Sequence, residues 1–360
     1  MRAMQISSFG TPIDVLELID IPEPPQPDAG QALIGVEFAP INHNDLLLIK
    51  GTFHWTPSLP YLVGNEGVGR VLAVSPTVSN VKVGDRVALP LYSNTWQERV
   101  LVSARGLVAL PPEADVQQLS MLRINPTAAA LMLSEYVDLK PGDWVIQNPS
   151  NSGVGRAVIA FGKARGLRLI NLVRRQEDIA AVEAAGGEVV LVDDERALDQ
   201  IAKAVGDGRV RLALDSLGGA ATARLASALS QHGELVGYSF MAGYAAPGDF
   251  RPLMNKEITL HSFYEGRHEY DAKIPGILRE ATALIAAGTL HVPIAATYPL
   301  TAFKEAVAHA VRGGGKVLLD ARRRPDAQWE QFCGNVEEPQ TDANMSLHLQ
   351  ERLTRAILKR

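Results

Sequence analysis

Short apolar segments separated by Pro- and Gly-containing turns run through the first third of the chain. Apolar runs of strand length occur at Gln31–Ala39, Gly67–Val74 and Asp85–Leu91. Turn residues separate them, as in Pro22–Pro25 and Val83–Asp85. Short strands at this spacing predict a β-barrel or β-sandwich, and they disfavour a βαβ layer in this part of the chain.

From about Pro141 the pattern changes to an alternation of strands and helices. Short apolar runs that are typical of buried strands begin at Trp144, Leu167, Val189, Val210, Glu234 and Ile258. Apolar residues at helical spacing lie between some of these runs, at 154–165, 179–185, 220–231 and 274–287. This alternation predicts a doubly wound parallel α/β sheet.

After His291 the chain returns to short elements and then ends in a polar tail. The pattern predicts a helix at 302–311 and a strand at Lys316–Leu319. In the tail, Leu349, Leu353 and Ile357 recur at every fourth position. This spacing predicts an amphipathic helix that packs on its own domain or on a second subunit.

Composition agrees with a globular protein and excludes several classes of function. The 360 residues are 46% hydrophobic and 21% charged, and a chain of this length favours two domains. A net charge of −5, from 35 basic and 40 acidic residues, disfavours nucleic-acid binding. The chain has neither the features of a signal peptide nor an apolar stretch of about 18 residues, so we expect a cytoplasmic protein without a membrane span.

Cysteine occurs once, at Cys333. A single cysteine excludes a disulfide within the chain and every structural zinc site that needs two thiolates from it. It also removes the thiolates that a catalytic zinc site of the Cys/His type requires.

A glycine turn, Asn148–Gly155, lies between a predicted strand and a predicted helix. Its glycines allow close approach of a ligand to the backbone, and the helix N-terminus that follows favours a pyrophosphate. The turn is not a complete G-x-G-x-x-G motif, because Ser150 and Asn151 occupy early positions. Taken alone, it fits an ordinary strand–helix connection equally well.

The end of the next predicted strand strengthens the cofactor hypothesis. Arg174 and Arg175 stand where an NAD-binding domain has an acidic residue for the adenosine ribose. A guanidinium group instead matches a phosphate, so the sequence predicts NADPH. The alternative is that both arginines are solvated surface residues.

Five segments together resemble the medium-chain dehydrogenase/reductase superfamily. Besides the glycine turn they are Ala39–Asp45, Gly64–Gly67, Val83–Arg86 and Ile124–Ala128, and the resemblance covers about residues 1–320. It implies a GroES-like catalytic domain built from residues 1–124 and 296–325. It also implies a Rossmann domain at 125–295, a C-terminal extension at 326–360 and a homodimer.

The resemblance also shows where zinc ligands are missing. Zinc alcohol dehydrogenases of this superfamily use a Cys and a His where this chain has Asn42 and Asn65. Amides are poor zinc ligands beside thiolate and imidazole. We therefore expect no metal in the site, with His43 nearby as a hydrogen-bonding residue.

Among zinc-independent branches the chain is most similar to the mitochondrial-type 2-enoyl thioester reductases, and then to quinone oxidoreductases. This resemblance implies NADPH contacts from Asn125, Asn151, Ser152, Gly153, Val154, Gly155, Arg174, Arg175, Tyr238, Phe240, Met241, Phe263, Tyr264 and Lys316. Two of these residues have plain alternatives, because Phe263 also fits a core position and Lys316 a solvated turn.

One catalytic position departs from the family. Enoyl reductases carry a Tyr, regarded as the proton donor, where this chain has Phe53, which has no proton to donate. His54, Trp55, Tyr61 and Tyr92 are candidates to occupy nearby space or to reach the site, and the sequence does not decide between them.

Two further polar residues are candidate donors. Asn44 and Thr127 could donate to the nicotinamide amide or to the substrate carbonyl. Turn capping by Asn44 and helix capping near Thr127 are equally good interpretations.

The leading hypothesis is an NADPH-dependent, zinc-free oxidoreductase that transfers a hydride to a conjugated carbonyl of a small molecule, as enoyl thioester reductases do. A quinone or enone reductase is the nearest alternative, because a hydroquinone anion can wait for a proton from water whereas a thioester enolate needs a donor. A non-catalytic NADPH-binding protein is the alternative from another class.

Overall fold

The computed structural model of the chain describes residues 1–239 and 251–322. Phe240, Met241, Cys333 and the predicted C-terminal helix lie outside these described residues. The strands are β1 Arg2–Ile6, β2 Leu16–Asp20, β3 Gln31–Pro40, β4 Tyr61–Leu62, β5 Val68–Val74, β6 Arg86–Ala88, β7 Arg99–Ser103, β8 Ala109–Leu110, β9 Trp144–Asn148, β10 Arg168–Val173, β11 Val189–Val192, β12 Val210–Asp215, β13 Glu234–Gly237, β14 Thr259–Ser262, β15 Ile294–Pro299 and β16 Lys316–Asp320. The α-helices are α1 Pro12–Val15, α2 His43–Lys50, α3 Val116–Leu119, α4 Asn125–Glu135, α5 Gly153–Ala164, α6 Ile179–Ala184, α7 Ala197–Val205, α8 Ala220–Ala228, α9 Arg251–Asn255, α10 Ile274–Ala286 and α11 Phe303–Arg312. Short 3₁₀ helices cover Gln176–Asp178, His268–Tyr270 and Leu300–Ala302.

The middle of the chain forms a six-stranded parallel sheet in the order β11-β10-β9-β12-β13-β14. Its central strand β9 is buried along its whole length, as expected for a parallel sheet that is covered on both faces. The strand order reverses between β9 and β12, and in such sheets ligands bind at the carboxyl ends of the strands beside that point. The predicted doubly wound sheet is confirmed.

A second, seven-stranded sheet draws on two distant parts of the chain. Strands β3, β5, β6, β7 and β8 are joined by β15 and β16, and β16 pairs antiparallel with β3. Buried Glu37 of β3 accepts hydrogen bonds from Arg86 of β6 at 2.8 and 3.3 Å. A smaller sheet, in the order β2-β1-β4, is formed by strands from the amino-terminal part of the chain. The predicted short strands at 31–39 and 67–74 are confirmed, and the domain boundaries at 124/125 and 295/296 stay predictions.

Two helices near the site were not predicted from the sequence. Helix α2 begins after Asn42, whose backbone N–H donates to the Asp45 carboxylate at 2.7 Å, and it ends at Gly51 with φ of 73°. Helix α4 buries every residue from Pro126 to Leu133, so it lacks the polar face that reveals a surface helix.

One predicted helix end was wrong. Helix α8 stops at Ala228 because Leu229 is extended, and the residues up to Gln231 turn toward β13. No helix among the described residues is long and apolar enough to cross a membrane.

Candidate active site

The glycine turn connects β9 directly to α5. The Ser152 hydroxyl caps the helix by accepting a hydrogen bond from the Gly155 N–H at 3.0 Å. A Cβ at Gly155 would lie 2.6 Å from the Ser150 carbonyl oxygen, and one at Gly153 would overlap the Asn125 amide. The turn therefore requires glycine at position 155, where a side chain would meet backbone atoms, and it exposes the first N–H groups of α5 to a ligand.

The turn lies at the point where the order of the parallel strands reverses. The Asn148 side-chain oxygen accepts a hydrogen bond from the Ser216 N–H, just beyond β12, at 2.9 Å. The Tyr238 hydroxyl donates to the Asn148 carbonyl at 3.4 Å. The side-chain nitrogen of Asn148 is buried and has no partner among the described residues. The point where the strand order reverses thus combines a helix N-terminus with a buried, unpartnered donor, and both features suit a nucleotide cofactor.

The two arginines after β10 differ in their partners. Arg175 forms ion pairs with Asp178 at 3.0 Å and with Glu177 at 3.3 Å, and its hydrogen bond holds the pKa of Asp178 below the ordinary value. Arg174 is exposed and forms no ion pair within the described part of the chain. The Arg174 guanidinium is thus available to an anion.

A buried polar network surrounds Asn42 and Asn65, the two positions where the sequence resemblance implies the zinc ligands of related dehydrogenases. The Asn42 side chain donates to Glu66 at 2.8 Å and accepts from the Lys316 ammonium at 2.5 Å. The Asp45 carboxylate accepts from the Asn42 and Asn65 N–H groups at 2.7 and 3.0 Å. The network joins α2, the segment before β5 and the start of β16.

Burial dominates the electrostatics of this network. It raises the pKa of Asp45 to about 7, with two backbone hydrogen bonds opposing it. Burial also raises the pKa of Glu66 and lowers that of Lys316. Burial therefore favours the protonated form of both carboxyl groups, while the positive charge of Lys316 opposes that shift.

The donor set does not suit zinc. Asn42 has its amide oxygen on the Lys316 ammonium and its amide nitrogen on Glu66, so it presents no free ligand atom. Among residues 1–239 and 251–322, no group of three or more His, Cys, Asp or Glu residues could hold a metal ion.

An aromatic cluster surrounds the position of the family Tyr. The Phe53 ring lies 4.2 Å from His54 and 6.0 Å from Trp55 between centroids. Trp55 meets Tyr92 edge-on at 5.2 Å, and His54 meets Tyr264 at 4.6 Å. The structure thus brings the 53–55 loop, Tyr92 and Tyr264 together.

Tyr61, the other tyrosine near the loop, lies on the second side of Trp55. The centroids of the two rings are 6.3 Å apart. The Asn94 side chain hydrogen-bonds the Tyr61 hydroxyl and so opposes the rise in its pKa on burial. Tyr61 is therefore engaged with Asn94.

The remaining predicted residues divide between the crevice and the core. Asn125, Asn151 and Val154 are partly exposed at the glycine turn. Thr127 is buried, and its hydroxyl donates to the Leu122 carbonyl at 3.2 Å. Phe263 is buried and stacks on Tyr270 at 6.1 Å, so its side chain belongs to the core.

Asn44 does not cap its helix. That function belongs to the Asn42–Asp45 pair. The buried side-chain oxygen of Asn44 has no partner among the described residues.

Sequence reasoning missed Asp45, Arg123 and Glu265. All three are ionisable groups whose pKa is shifted by burial. The available signal was a charged residue inside or next to an apolar family segment, since Asp45 ends one segment and Arg123 precedes another.

A GroES-like sheet next to a doubly wound sheet with a glycine turn defines a class of two-part dehydrogenases and reductases. The chain matches the family model for the alcohol dehydrogenase GroES-like domain at residues 28–112 and the model for zinc-binding dehydrogenase at 186–319. It is 32% identical over 317 residues to a mitochondrial enoyl-acyl-carrier-protein reductase of Homo sapiens, covering 85% of this chain and 84% of that protein. The chain belongs to the medium-chain dehydrogenase/reductase superfamily, in the family of these reductases.

Solved structures agree with this assignment. A putative NADPH:quinone reductase from Bacillus thuringiensis superposes with a TM-score of 0.80 at 26% identity, covering 89% of this chain and 98% of that one. A mitochondrial 2-enoyl thioester reductase from Candida tropicalis superposes with a TM-score of 0.79 at 22% identity, covering 89% and 99%. The second likeness concerns the fold alone.

Proposed function

We propose that this protein is an NADPH-dependent, zinc-independent reductase of conjugated carbonyl compounds, with enoyl thioesters as the leading substrate class. The observation that carries the proposal is the glycine turn at the reversal of the strand order, with Arg174 available at the end of the neighbouring strand. A phosphate on the adenosine ribose would take the place beside Arg174 that NAD-binding domains fill with an acidic residue. The relatives named as enoyl-acyl-carrier-protein reductases support the choice of substrate.

The chain's own residues would hold the cofactor along the crevice. The N–H groups of Gly153 and Val154 suit the pyrophosphate, Asn125 and Tyr238 flank the turn, and Tyr264 stands at the aromatic cluster. Lys316 would contribute to cofactor binding from within the buried polar network that it forms with Asn42. When bound, reduced nicotinamide supplies a hydride.

Hydride addition to a conjugated carbonyl leaves negative charge on the carbonyl oxygen. For a thioester this is a strongly basic enolate that needs hydrogen-bond donors, and a general acid contributes typically about 10²–10⁴ in rate. Phe53 cannot donate, and the Thr127 hydroxyl already donates to Leu122. The side-chain nitrogen of Asn44 is a further candidate donor.

Quinone or enone reduction is the second candidate function. Phe53 in place of the family Tyr favours it, because a hydroquinone anion has a pKa near that of tyrosine, about 10, and can take its proton from water. The flat aromatic faces of Phe53 and Trp55 also suit a planar ring. A structural neighbour named as a putative NADPH:quinone reductase supports this candidate.

Steady-state assays of the full chain with crotonyl-CoA and with a benzoquinone, each with NADPH, separate the two candidates. In the Phe53→Tyr variant, crotonyl-CoA turnover should rise about tenfold or more, because a donor is restored, while quinone turnover stays level. Unchanged crotonyl-CoA turnover in this variant would show that position 53 does not serve protonation. Undetectable NADPH oxidation by wild type with enals, enones, quinones and thioesters would instead favour the non-catalytic binding protein.

The remaining features of the proposal concern assembly and location. Strand β14 pairs with β13 on one side and, among the described residues, has no neighbour on the other. Leu260 of β14 is 53% exposed, which suits pairing with a second copy. Sedimentation velocity measures the proposed homodimer. A cytoplasmic location and the boundaries 1–124, 125–295 and 296–325 stay part of the proposal.

A further inference from the structure

Tyr92 stands out because its buried hydroxyl makes no well-formed hydrogen bond among the described residues, although the Tyr264 and Trp55 side chains lie close enough to shift its pKa. A buried hydroxyl without a hydrogen-bond partner lowers the stability of the fold by about 1–3 kcal/mol. A ligand atom that accepts a hydrogen bond from it would remove this cost. The residue also has φ of 62°, in the left-handed region that side chains other than Asn, Asp and Gly rarely adopt. Strained residues of this kind concentrate at functional sites.

Backbone hydrogen bonds fix Tyr92 to the buried polar network. Its N–H donates to the Asn65 carbonyl at 2.9 Å, and the Thr95 hydroxyl donates to the Glu66 carbonyl at 2.6 Å. The turn that carries Tyr92 is thus held at both ends by two consecutive residues of that network. The ring is directed toward Trp55, and so toward the loop that contains Phe53.

Arg123 is another residue in this region with a donor that is unpartnered in the described part of the chain, as is Asn65 with its side-chain nitrogen. One of its terminal nitrogens, Nη1, is buried and has no partner among the described residues. The next residue, Ile124, donates its N–H to the Glu66 carboxylate at 2.9 Å. Tyr92 and Arg123 are therefore positioned by the same two-residue segment, Asn65–Glu66.

The charges around this pair keep both donors protonated. Burial, and then the Glu265 carboxylate and the Tyr264 hydroxyl, raise the pKa of Tyr92. Burial lowers the pKa of Arg123, while Glu265 and Glu66 oppose that shift. Arg123 forms no ion pair with Glu265 within the described residues, so its charge is not neutralised by direct contact.

We propose that Tyr92 and Arg123 donate hydrogen bonds to the substrate oxygen that becomes negatively charged, in place of the hydroxyl that the family has at position 53. This inference rests on the proposed reductase function. A hydride from the reduced nicotinamide forms a C–H bond at the β-carbon, and the electron pair of the C=C bond moves toward the carbonyl. The carbonyl oxygen takes the charge and the nicotinamide leaves oxidised.

The two donors hold that oxygen without giving up a proton. The α-carbon then takes its proton from water and the carbonyl bond re-forms. The substrate oxygen reaches the hydroxyl after a shift of the Trp55 or Tyr264 side chain, since these rings border it in the free protein. Hydrogen-bond donors that are fixed before the reaction stabilise such an oxyanion strongly.

The test compares two tyrosines whose buried hydroxyls make no well-formed hydrogen bond among the described residues. Tyr92→Phe should lower kcat for crotonyl-CoA by about 10²-fold, the usual effect of removing one oxyanion donor, with little change in KM. Tyr136→Phe is the matched control. Tyr136 lines a cavity with Val210 and Glu234 at the amino ends of β12 and β13, away from the glycine turn, so its kcat should equal that of wild type.

Two further measurements keep the result interpretable. Calorimetric binding of crotonyl-CoA should give the same Kd for wild type and Tyr92→Phe, because the lost hydrogen bond strengthens only as charge develops. If Tyr92→Phe does not fold, Arg123→Met serves instead, with the same expected loss of kcat. In the Tyr92→Phe background, Phe53→Tyr should restore part of the lost kcat.

The outcomes separate the inference from the function on which it rests. Equal kcat values for Tyr92→Phe and Tyr136→Phe, with an active wild type, would overturn the assignment of Tyr92 and leave the reductase standing. A kcat loss that follows a loss of crotonyl-CoA binding would also overturn it. A wild type that reduces neither thioesters nor quinones would overturn the function and the inference together.

Discussion

Arg174 and Arg175 are neighbours in the chain, but they are not equivalent. Arg175 forms ion pairs with Asp178 and Glu177, and the hydrogen bond to Asp178 raises the pKa of Arg175 above its ordinary value. Arg174 has no such partner among the described residues. A contact with the cofactor costs Arg174 no existing interaction, whereas Arg175 would have to give one up.

We therefore expect Arg174→Ala to raise the Kd for NADPH by about 10–100-fold, the loss of one charge-assisted hydrogen bond, and to leave the Kd for NADH nearly unchanged. Arg175→Ala is the matched control and should have the smaller effect on NADPH. Fluorescence titration with both cofactors measures these constants. Equal losses for NADPH and NADH would refute phosphate recognition by Arg174.

Position 155 requires glycine because the backbone of the preceding turn approaches its Cα closely. An Ala side chain there would meet the carbonyl oxygens of Ser150 and Pro149 at 2.6 and 2.7 Å. We expect Gly155→Ala to lower the unfolding free energy by about 1–3 kcal/mol. Gly276→Ala, in α10 with open space around its Cα, should raise it by up to about 1 kcal/mol. Urea denaturation of both variants measures the contrast.

At the scale of elements, Glu37 links three strands of the seven-stranded sheet through ion pairs. Its carboxylate meets Arg86 at 2.8 Å and Arg70 at 3.3 Å, and all three side chains are largely shielded from water. Strands β3, β5 and β6 each contribute one residue to this cluster. Removal of the carboxylate would leave two guanidinium groups without their buried partner.

Glu37→Ala should accordingly lower the unfolding free energy by about 3–5 kcal/mol, the typical cost of breaking a buried ion pair from one side. The exposed pair of Asp138 with Lys140 offers a control. Asp138→Ala should change stability by no more than about 1 kcal/mol. Similar losses for the two variants, measured by urea denaturation, would contradict the importance of burial.

The elements that the sequence predicted best are those with a simple burial pattern. Most of the parallel strands are short apolar runs, and α5 carries apolar residues on one helical face at Val154, Val158 and Phe161. Helix α4 escaped prediction because it is buried on all sides. The glycine turn and the arginines were found because their chemistry is local.

Contacts between residues that are far apart in the sequence could not be predicted in this way. Lys316 meets Asn42, and Tyr264 meets His54, although neither pair has any relation in sequence. Tyr92 was one of several candidates near position 53, and only its contacts distinguish it from Tyr61. The family motifs indicated which segments of the chain lie together in the fold, but they did not indicate which atoms are in contact.

At the scale of the whole molecule, the buried polar network makes stability depend on pH. The carboxyl group of Asp45 has a pKa of about 7 in the fold, above its ordinary value of 3.8. Between these values the folded protein retains a proton that the unfolded chain has released. Raising the pH through this window therefore favours unfolding.

We expect the unfolding free energy of wild type to fall between about pH 4 and pH 7, with a slope of at most about 1.4 kcal/mol per pH unit from Asp45. Asp45→Asn should flatten this fall, and the raised pKa of Glu66 leaves a residual slope of the same sign. Asp138→Asn, at an exposed site, should retain the wild-type profile. Denaturation midpoints across this pH range measure the difference, and identical slopes for all three proteins would rule out the contribution of Asp45.

The two sheets differ in when they can be completed during synthesis. All six parallel strands come from one continuous stretch, Trp144–Ser262, so that sheet can assemble as soon as the stretch leaves the ribosome. Strand β3 pairs with β16, where Leu318 lies opposite Pro40. The early strands must therefore wait for nearly the whole described chain before their last neighbour arrives. A nascent chain stalled just after Ser262 should contain a protease-resistant parallel sheet beside an unfinished, protease-sensitive amino-terminal part.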